Sequence, residues 1–373
     1  MRVVVLAGLA ASLTNFRLEL LESLIRNGHT VFAAAPSMDP RTEGALKRIG
    51  VTAIDVPLKR SSLNPLGDIR LCWTLRRLFA NLRPDVVFNY TIKPVIYGSF
   101  AASLCRVPRI VSMVTGLGYC FLGETLKQRM VGCVAKLLYR AALRRNHVVI
   151  FQNRDDCGDF IERGVLAPSK ETLIVNGSGV DLVKFALAEP FLSPSTFLLI
   201  ARLYREKGVL EFVEAAQRLR RKHPQARCVV AGAPDSNPSS FTSADVEGWV
   251  ATGAIEYVGW LEDVRPCLRT TSVYVLPSYR EGTPRTVLEA MAMGRPIVTT
   301  DVPGCRETVA HGQNGFLVPA KDVESLAAAM ERFVLEPALI RTMGLRSRRI
   351  AEEKYNVHDV NSRIVAALKL QAP

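Results

Sequence analysis

Short apolar runs alternate along the chain with segments whose apolar positions are spaced as in an amphipathic helix. The runs are RVVVLA, TVFAAA, DVVFNY, RIVSMV, HVVIFQ and TLIVN in the first half, then TFLLIA, ARCVVAG, AIEYVG, VYVLPS and PIVTTD. Nearly continuous apolar strands separated by helices are typical of parallel sheets that are covered on both faces. The pattern predicts an α/β protein with two Rossmann-like, doubly wound parallel-sheet domains that face a central cleft.

A chain of 373 residues is longer than one typical core requires, which agrees with two domains. The helix and strand pattern is interrupted between Phe185 and Pro194, where two prolines precede TFLLIA. The predicted domains are therefore residues 1–185 and 186–355. Residues 356–373 form a C-terminal helix that can return to the N-terminal domain.

The amino-terminal segment MRVVVLAGLAASL has the composition of a short signal peptide, but a buried strand is the preferred interpretation. An amphipathic helix from Phe16 to Arg26 follows it and ends at Asn27-Gly28, which completes a β-α unit. The longest apolar tract, residues 95–123, is interrupted by Arg106 and Arg109. No segment therefore reaches the roughly 20 uninterrupted apolar residues of a membrane span, and any membrane contact should be peripheral.

The formal charge of +13 predicts an anionic partner, which could be nucleic acid, a phosphorylated small molecule or an acidic lipid surface. Aromatic residues make up only 7% of the chain and do not alternate with basic ones, which disfavours a single-stranded nucleic-acid platform. The eight cysteines form no C-x-x-C pair and the five histidines no ligand-spaced pair. Reduced thiols, a cytosolic location and the absence of a metal site are expected.

Basic residues follow the strand TFLLIA, where the chain turns into the next helix. Arg202 and Lys207 lie in this turn, directly before Gly208. A turn at the carboxyl edge of a sheet suits the binding of adjacent phosphates by an Arg fork and a Lys ammonium group. The alternative is that both side chains are merely solvated, as basic residues in turns commonly are.

The segment REGTPRTVLEA follows the strand VYVLPS and contains the predicted start of a helix. Pro284 fits the first helical turn, and Gly294 fits the helix end. A helix start offers free N–H groups and a positive dipole end to an anion, and Pro284 itself has no N–H group. A diphosphate should bind here to donors from Gly282, Thr283, Arg285 and Thr286.

Glu281 and Glu289 lie on either side of this helix start. Carboxylates accept two hydrogen bonds from vicinal hydroxyl groups, so one glutamate can bind a sugar and the other the ribose of a nucleotide. Alternatively, a glutamate at a helix start is a dipole partner and one within a helix is a surface residue.

These motifs resemble the donor site of the retaining family-four glycosyltransferases with the GT-B fold. The likeness rests on R-x4-KG at 202–208 and on the E-x7-E pattern within EGTPRTVLEAMAMG at 281–294, and it extends over nearly the whole chain. It implies a nucleotide-sugar donor, retention at the anomeric carbon and no metal, in agreement with the lack of any D-x-D sequence. On this basis Glu281, Arg202 and Lys207 are the expected catalytic group, and Glu289 and Gly8 join the expected donor-binding residues.

Loops that follow the N-terminal strands resemble the branch of this family that includes undecaprenyl-diphospho-bacillosamine α-1,3-N-acetylgalactosaminyltransferases and related O-antigen and capsule enzymes. The resemblance implies a polyprenyl-diphosphate-linked acceptor. Family members often carry a histidine in the loop where this chain reads TGLGY, so no acceptor base is nominated. The expected acceptor-binding residues are Asn15, Arg17, Arg60, Lys93, Thr115 and Gly116.

The segment from Leu126 to Arg145 combines an apolar stripe of residues 130, 134, 137, 138 and 141 with a basic stripe. Such a helix can rest on anionic lipid, and the expected membrane contacts are Arg129, Lys136, Arg140 and Arg144. An ordinary helix that packs on its sheet and exposes its charged face to solvent is the alternative.

The leading hypothesis is a glycosyltransferase of lipopolysaccharide or capsule assembly that moves a sugar, an N-acetylhexosamine by preference, from a UDP-sugar to a lipid-linked saccharide. It would need no cofactor, bind no nucleic acid and lie on the cytoplasmic face of the inner membrane. A nucleotide-sugar 2-epimerase with the same fold is one alternative, and a noncatalytic binder of anionic lipid or nucleic acid is another.

Overall fold

The computed structural model describes residues 1–59, 64–116, 126–235 and 237–370, with the backbone alone for residues 126–129. The chain divides into two compact units, one formed by Met1–Ser178 with His358–Pro373 and the other by Gly179–Val357. The division falls ahead of the predicted boundary at residue 185. Val180 and Phe185 are buried in the core of the second unit, although neither of these two residues belongs to a segment with helix or strand periodicity. Val180 also pairs with Asn356 in an isolated β-bridge.

The first unit contains, within the described residues, a seven-stranded parallel sheet in the order β3-β2-β1-β4-β5-β6-β7. Its strands are β1 (Arg2–Leu6), β2 (Thr30–Ala35), β3 (Thr52–Asp55), β4 (Val86–Tyr90), β5 (Arg109–Val114), β6 (Val148–Phe151) and β7 (Thr172–Ile174). Its helices are α1 (Ala11–Phe16), α2 (Leu18–Arg26), α3 (Pro40–Arg48), α4 (Pro65–Leu82), α5 (Ser99–Leu104), α6 (Leu126–Leu143) and α7 (Arg154–Glu162), with a π-helical turn at Pro94–Gly98.

The second unit contains, in the part of the chain that is described, a six-stranded parallel sheet in the order β10-β9-β8-β11-β12-β13. Its strands are β8 (Thr196–Ile200), β9 (Arg227–Ala231), β10 (Glu256–Tyr257), β11 (Val273–Leu276), β12 (Ile297–Thr300) and β13 (Gly315–Val318). Its helices are α8 (Val209–Lys222), α9 (Ser243–Ala251), α10 (Arg265–Arg269), α11 (Arg285–Ala292), α12 (Val323–Leu335) and α13 (Ala338–Lys354), and the last helix of the chain is α14 (Val357–Leu368).

Each central strand is apolar on both faces because helices cover the sheet on both sides. Val3 and Val5 of β1 pack beneath α2 and α14, whereas Val4 and Leu6 pack beneath α4 and α5. From α14, Val360, Ile364 and Leu368 enter the core of the first unit, which explains why this last helix belongs to that unit. None of the helices in the described ranges combines the length and apolarity that a bilayer span requires.

The amphipathic helix predicted from Phe16 to Arg26 is interrupted at its start. Arg17 has non-helical dihedral angles and separates α1 from α2. Its side chain is 1% exposed, and its guanidinium group contacts the ring of Tyr90 and the sulfur of Met113. The sequence pattern did not indicate this break, because it depends on side chains from β4 and β5.

The order of strands reverses at one point in each sheet. In the first unit the chain leaves β1 toward β2 and β3 and then returns to β4, which lies on the other side of β1. In the second unit β8 and β11 have the same relation. In open parallel sheets the crevice beyond the carboxyl ends of two such strands is the usual place for a ligand.

Candidate functional site

The loops that follow β8 and β11 are joined by a buried tyrosine. The hydroxyl group of Tyr274 donates to the carbonyl oxygen of Ile200 at 3.0 Å and accepts from the hydroxyl group of Thr286 at 2.6 Å. Burial raises the pKa of Tyr274 well above its ordinary value, so the phenol keeps its proton. The start of α11 is thereby held against the carboxyl end of β8. Because this tyrosine occurs within an apolar strand, the sequence pattern did not indicate its role.

Lys207 and Glu281 form an ion pair between these two loops. The side chain of Lys207 is 20% exposed and that of Glu281 is 13% exposed. A second contact fixes the carboxylate, since the hydroxyl group of Ser278 donates to Glu281 Oε1 at 2.9 Å. Two residues from separate sequence motifs therefore meet at the switch point of the second sheet. Ser278 is the last residue of the run VYVLPS, and the pattern of apolar positions did not indicate this contact.

Glycines allow the backbone to approach closely on both sides of this ion pair. Gly208 follows Lys207 in the left-handed region, with φ of +69°, and a Cβ atom there would lie 2.0 Å from the carbonyl oxygen of Pro277. Gly304 has φ of +84°, and its Cβ atom would lie 2.2 Å from the carbonyl oxygen of Glu281. Any larger residue at either position must displace the backbone that carries the ion pair.

We expect Gly304→Ala to lower kcat for the sugar transfer predicted from the sequence by at least about tenfold, because displacement of Glu281 would misplace a residue that is expected to position the sugar. Gly312→Ala is the matched control: Gly312 also has a positive φ, of +77°, but a Cβ atom there would meet nothing within 4 Å. Both variants should lose about 1–2 kcal/mol of stability from left-handed strain. Urea unfolding and steady-state kinetics separate the two effects, and equal kcat values for the two variants would contradict the prediction.

Glu289 is a buried residue of α11 and not a surface residue. Its side chain accepts a hydrogen bond from Arg285 Nε at 2.8 Å, and the whole residue is 7% exposed. Burial raises the pKa of Glu289, and the neighbouring Arg285 only partly offsets that rise. A carboxylate is costly in such a position, so its presence favours a functional role over a structural one.

The helix α11 begins at Arg285, because Pro284 has extended dihedral angles and occupies the N-cap position. Pro284 thus lies one residue ahead of the first helical turn in which the sequence placed it. The first turn carries no acidic side chain, so the positive end of the helix dipole is not neutralised from within the helix. Of the expected donor residues, Gly282 is buried, and Thr283, Arg285 and Thr286 are half-buried.

Arg202 is exposed and lies directly after β8. Its guanidinium group stacks on the ring of Tyr204 at 4.5 Å and donates to the hydroxyl oxygen of that residue at 3.3 Å. The Tyr204 hydroxyl group donates in turn to the carboxylate of Asp235. Within the described residues, Arg202 makes no hydrogen bond to Lys207 or Glu281. The sequence motifs did not indicate Tyr204 and Asp235, the two residues that orient this cation.

In the first unit, Gly8 and Thr91 meet at the switch point between β1 and β4. Gly8 is buried, and a Cβ atom there would lie 2.4 Å from Thr91 Oγ1. Thr91 has a φ of +70°, and its buried hydroxyl group has no hydrogen-bond partner among the described residues. Lys93 follows in the same loop and binds Asp68 at 2.5 Å, and the hydroxyl group of Tyr97 donates to the same carboxylate at 2.9 Å.

The other expected acceptor residues have different environments. Asn15 is exposed on α1, whereas Arg17 lies in the interior, where its guanidinium group is 5.3 Å from the centre of the Tyr90 ring. Thr115 and Gly116 are half-buried after β5. Arg60 lies outside the described residues.

Three of the five apolar positions expected to form a stripe on α6 beside its basic stripe are exposed, whereas Leu138 and Ala141 are half-buried and Leu138 packs against the core. Met130, Val134 and Leu137 are 65%, 57% and 66% exposed, respectively. The residues of this helix that enter the core are Ala135, Tyr139, Ala142 and Leu143. Of the expected basic contacts, Arg140 and Arg144 are exposed and Lys136 is half-buried, whereas the side chain of Arg129 lies outside the description. This arrangement differs from that of an ordinary helix, whose exposed face is polar.

Comparison with known proteins identifies two family matches along the chain. The "Glycosyl transferase 4-like domain" matches residues 14–177, and "Glycosyl transferases group 1" matches residues 194–336. The two matches fall on the two units of the structure.

Two curated relatives are similar over most of their length. An N,N'-diacetylbacillosaminyl-diphospho-undecaprenol α-1,3-N-acetylgalactosaminyltransferase from Campylobacter jejuni is 30% identical, covering 88% of each chain. A UDP-Gal:α-D-GlcNAc-diphosphoundecaprenol α-1,3-galactosyltransferase from Escherichia coli is 27% identical, covering 82% of this chain and 81% of the relative. Among solved structures, sucrose-phosphate synthase from Thermosynechococcus elongatus has a TM-score of 0.81 at 18% identity and covers 99% of this chain and 98% of its own. That last likeness concerns the fold alone.

Proposed function

Because the chain belongs to the family-four glycosyltransferases of the GT-B fold, we propose that it transfers an N-acetylhexosamine from a UDP-sugar to a polyprenyl-diphosphate-linked saccharide. The Campylobacter jejuni relative is named for the transfer of N-acetylgalactosamine to a diphospho-undecaprenol-linked sugar, and the Escherichia coli relative for the use of UDP-galactose on a similar acceptor. The observation that carries the proposal is the Lys207–Glu281 ion pair beside the start of α11, at the switch point of the second sheet.

The difficult step in such a transfer is the departure of UDP. As the bond between the anomeric carbon and the β-phosphate oxygen breaks, negative charge grows on that oxygen. Lys207 and Arg202 supply positive charge there, and the N-terminus of α11 supplies its dipole, with no reorganisation of solvent. The acceptor hydroxyl oxygen then bonds to the anomeric carbon on the same face, and its proton passes to the departing phosphate.

The two glutamates have separate roles in this proposal. Glu281, which is held by Ser278 and Lys207, accepts hydrogen bonds from hydroxyl groups of the transferred sugar and positions it. Glu289 accepts hydrogen bonds from the ribose, and the low exposure of its site strengthens those bonds.

The acceptor would bind to the loops of the first unit. Lys93, Asn15, Thr115 and Gly116 follow strands of that sheet or lie on its first helix, and Arg17 supports them from beneath through Tyr90. A cation in these loops suits the diphosphate of a lipid-linked saccharide.

Binding and transfer assays test this proposal directly. UDP should raise the melting temperature of the protein more than GDP, because a ligand that binds only the folded state stabilises it by mass action. With a polyprenyl-diphosphate saccharide, UDP-N-acetylhexosamines should yield an α-linked product, identified by NMR of its anomeric proton. A β-linked product would exclude retention. Epimerisation of the donor in the absence of acceptor would show that the protein is a 2-epimerase and not a transferase.

We further propose that α6 lies on the cytoplasmic membrane surface, because its exposed apolar stripe has basic side chains beside it. Burial of apolar groups in the headgroup region and attraction to anionic lipid both stabilise the binding of such a surface to a membrane. The acceptor is itself anchored in that membrane, so the contact would bring the enzyme to its substrate.

Replacement of Lys136, Arg140 and Arg144 by Gln should weaken binding to anionic vesicles by about 100-fold at low salt, since each surface cation contributes roughly 1 kcal/mol. The matched control replaces Arg41, Lys47 and Arg48, three exposed cations on α3, by Gln and has the same net charge. Co-sedimentation with vesicles measures the effect. An equal loss for both variants would indicate attraction by net charge and not by α6.

A further inference from the structure

The helix α4 carries two apolar faces. Leu71, Leu75 and Phe79 form one face and are buried against the sheet. Ile69 and Trp73 lie four residues apart on a second face, and each is 55% exposed. The second face is not used for packing of the helix on its own sheet. Contiguous exposed apolar patches are typical of interaction sites and ligand-binding grooves.

This second face forms one wall of a groove of about 680 Å³. The opposite wall comes from α5 and the turn before it, with Tyr97, Phe100 and Leu104, the last of which is 65% exposed. The volume lies within the range of small-molecule sites, which are also lined mainly by apolar and aromatic side chains.

The charges of the groove favour an anionic amphiphile. Arg76 stacks on Trp73 at 5.1 Å, and Arg145 stacks on Phe100 at 5.1 Å, so both guanidinium groups lie along the apolar walls. Asp68 is the acidic residue among those that line the groove, and its charge is compensated by the ammonium group of Lys93 at 2.5 Å. Arginine stems can cover an apolar chain while their charged ends remain in water, where they add to the positive charge around the groove.

One end of the groove adjoins the expected acceptor loop. Asp68 and Tyr97 line the groove and also contact each other, and Asp68 binds Lys93, which follows β4 at the switch point. From Asp68 to Arg76 the helix rises by about 12 Å, which is the approximate reach of the groove along α4. A ligand with its diphosphate near Lys93 could therefore place the first part of a hydrocarbon chain along α4.

We propose that this groove binds the isoprenoid chain of the lipid-linked acceptor, next to its diphosphate. The inference rests on the proposed function, since it assumes a polyprenyl-diphosphate acceptor. Planar isoprene units suit flat contact with the aromatic faces of Trp73, Tyr97 and Phe100. The groove would select acceptors by their lipid, independently of the residues that bind the sugar.

The test compares one saccharide diphosphate on two tails, a long polyprenyl chain and a short alkyl chain too small to fill the groove. Trp73→Ala and Leu104→Ala should each raise KM for the long-chain acceptor by about tenfold, with kcat and the short-chain KM unchanged. Leu335→Ala is the matched control, since Leu335 in the second unit is also 65% exposed. A KM that rises equally for both acceptors, or for neither, would overturn the inference.

Two further measurements distinguish binding of the isoprenoid chain from general contact with the bilayer and from failure of the proposed function. Acceptor-free anionic vesicles should bind Trp73→Ala as tightly as the unaltered protein. A tenfold loss of vesicle affinity would mean that the groove contacts the bilayer in general and does not bind the acceptor lipid specifically. A photoreactive polyprenyl diphosphate should label peptides of α4 or α5 even if no sugar is transferred. Labelling elsewhere would refute the binding of the isoprenoid chain in this groove. Labelling of α4 together with failure to bind UDP would refute the proposed function alone.

Discussion

Lys207→Met is expected to lower kcat for sugar transfer by about 100- to 1,000-fold, the usual effect of removing one preorganised group that stabilises a developing anion. The ammonium group lies at the end of a short 3₁₀ turn, and Gly208 holds this turn against the end of β11. Methionine keeps the length and packing of the side chain but has no charge. The loss should therefore appear in kcat, because charge on the leaving phosphate grows mainly in the transition state.

The substitution also leaves Glu281 without its cation, so stability has to be measured separately. Lys222→Met is the matched control, because Lys222 binds Glu331 at 3.0 Å on an exposed helical surface. Thermal unfolding should show a modest loss for Lys207→Met and almost none for the control. If kcat of Lys207→Met stayed within about threefold of the unaltered enzyme, Lys207 would not stabilise the leaving phosphate.

Glu289→Gln is expected to weaken UDP binding by about 10- to 100-fold without loss of stability at neutral pH. A hydrogen bond to a charged group is worth about 1.5–3 kcal/mol, and the substitution removes the charge from a site with little solvent. The variant should lose little affinity for a UDP analogue that lacks the ribose hydroxyl groups. Calorimetric titration of the unaltered protein and Glu289→Gln with UDP and with this analogue isolates the contact between Glu289 and the ribose. An equal loss of affinity for UDP and for the analogue would exclude that contact.

The stability of this variant follows from the pKa of Glu289. Because burial raises that pKa, the folded protein holds the proton more tightly than the unfolded chain, whose carboxyl group titrates near 4.5. Stability therefore falls as the pH rises from about 4.5 through the raised folded pKa, and above that pKa the full penalty remains. Glutamine removes the penalty, so at pH 7 the variant should melt at the same or a higher temperature.

Glu336→Gln is the control for these measurements. Glu336 also pairs with an arginine one helical turn away, Arg332, but both side chains are more than half exposed. Its replacement should leave UDP affinity and the pH dependence of melting unchanged. A melting temperature of Glu289→Gln that falls well below that of this control at pH 7 would mean that the Arg285–Glu289 pair stabilises the fold.

The two-sheet α/β fold could be predicted from the strand pattern because most strands are buried on both faces and are therefore apolar throughout. The strands that the pattern missed, β3 and β13, lie at sheet edges. All four residues of β3 are at least partly exposed, so this strand lacks a continuous apolar run. In β13 the run is short and begins at a glycine.

Residue types and spacing also indicated the donor-site candidates, since Arg202, Lys207, Glu281 and Glu289 belong to contiguous motifs that follow strands. The contacts that join these motifs depend on the tertiary structure. Tyr274 links Ile200 to Thr286, and Asp235 accepts from Tyr204 beside Arg202, because separate strands and loops end at the same edge of one sheet.

The fold class, the positions of most strands and the chemical character of the candidate donor site could therefore be predicted from the order of residues alone. Three further features depend on how the chain folds: Lys207 meets Glu281, Glu289 and Arg17 are buried, and α4 and α6 expose apolar side chains. Local periodicity states which residues share a face of an element. Whether another element covers that face depends on contacts between residues that are distant in the chain, and periodicity carries no information about those contacts.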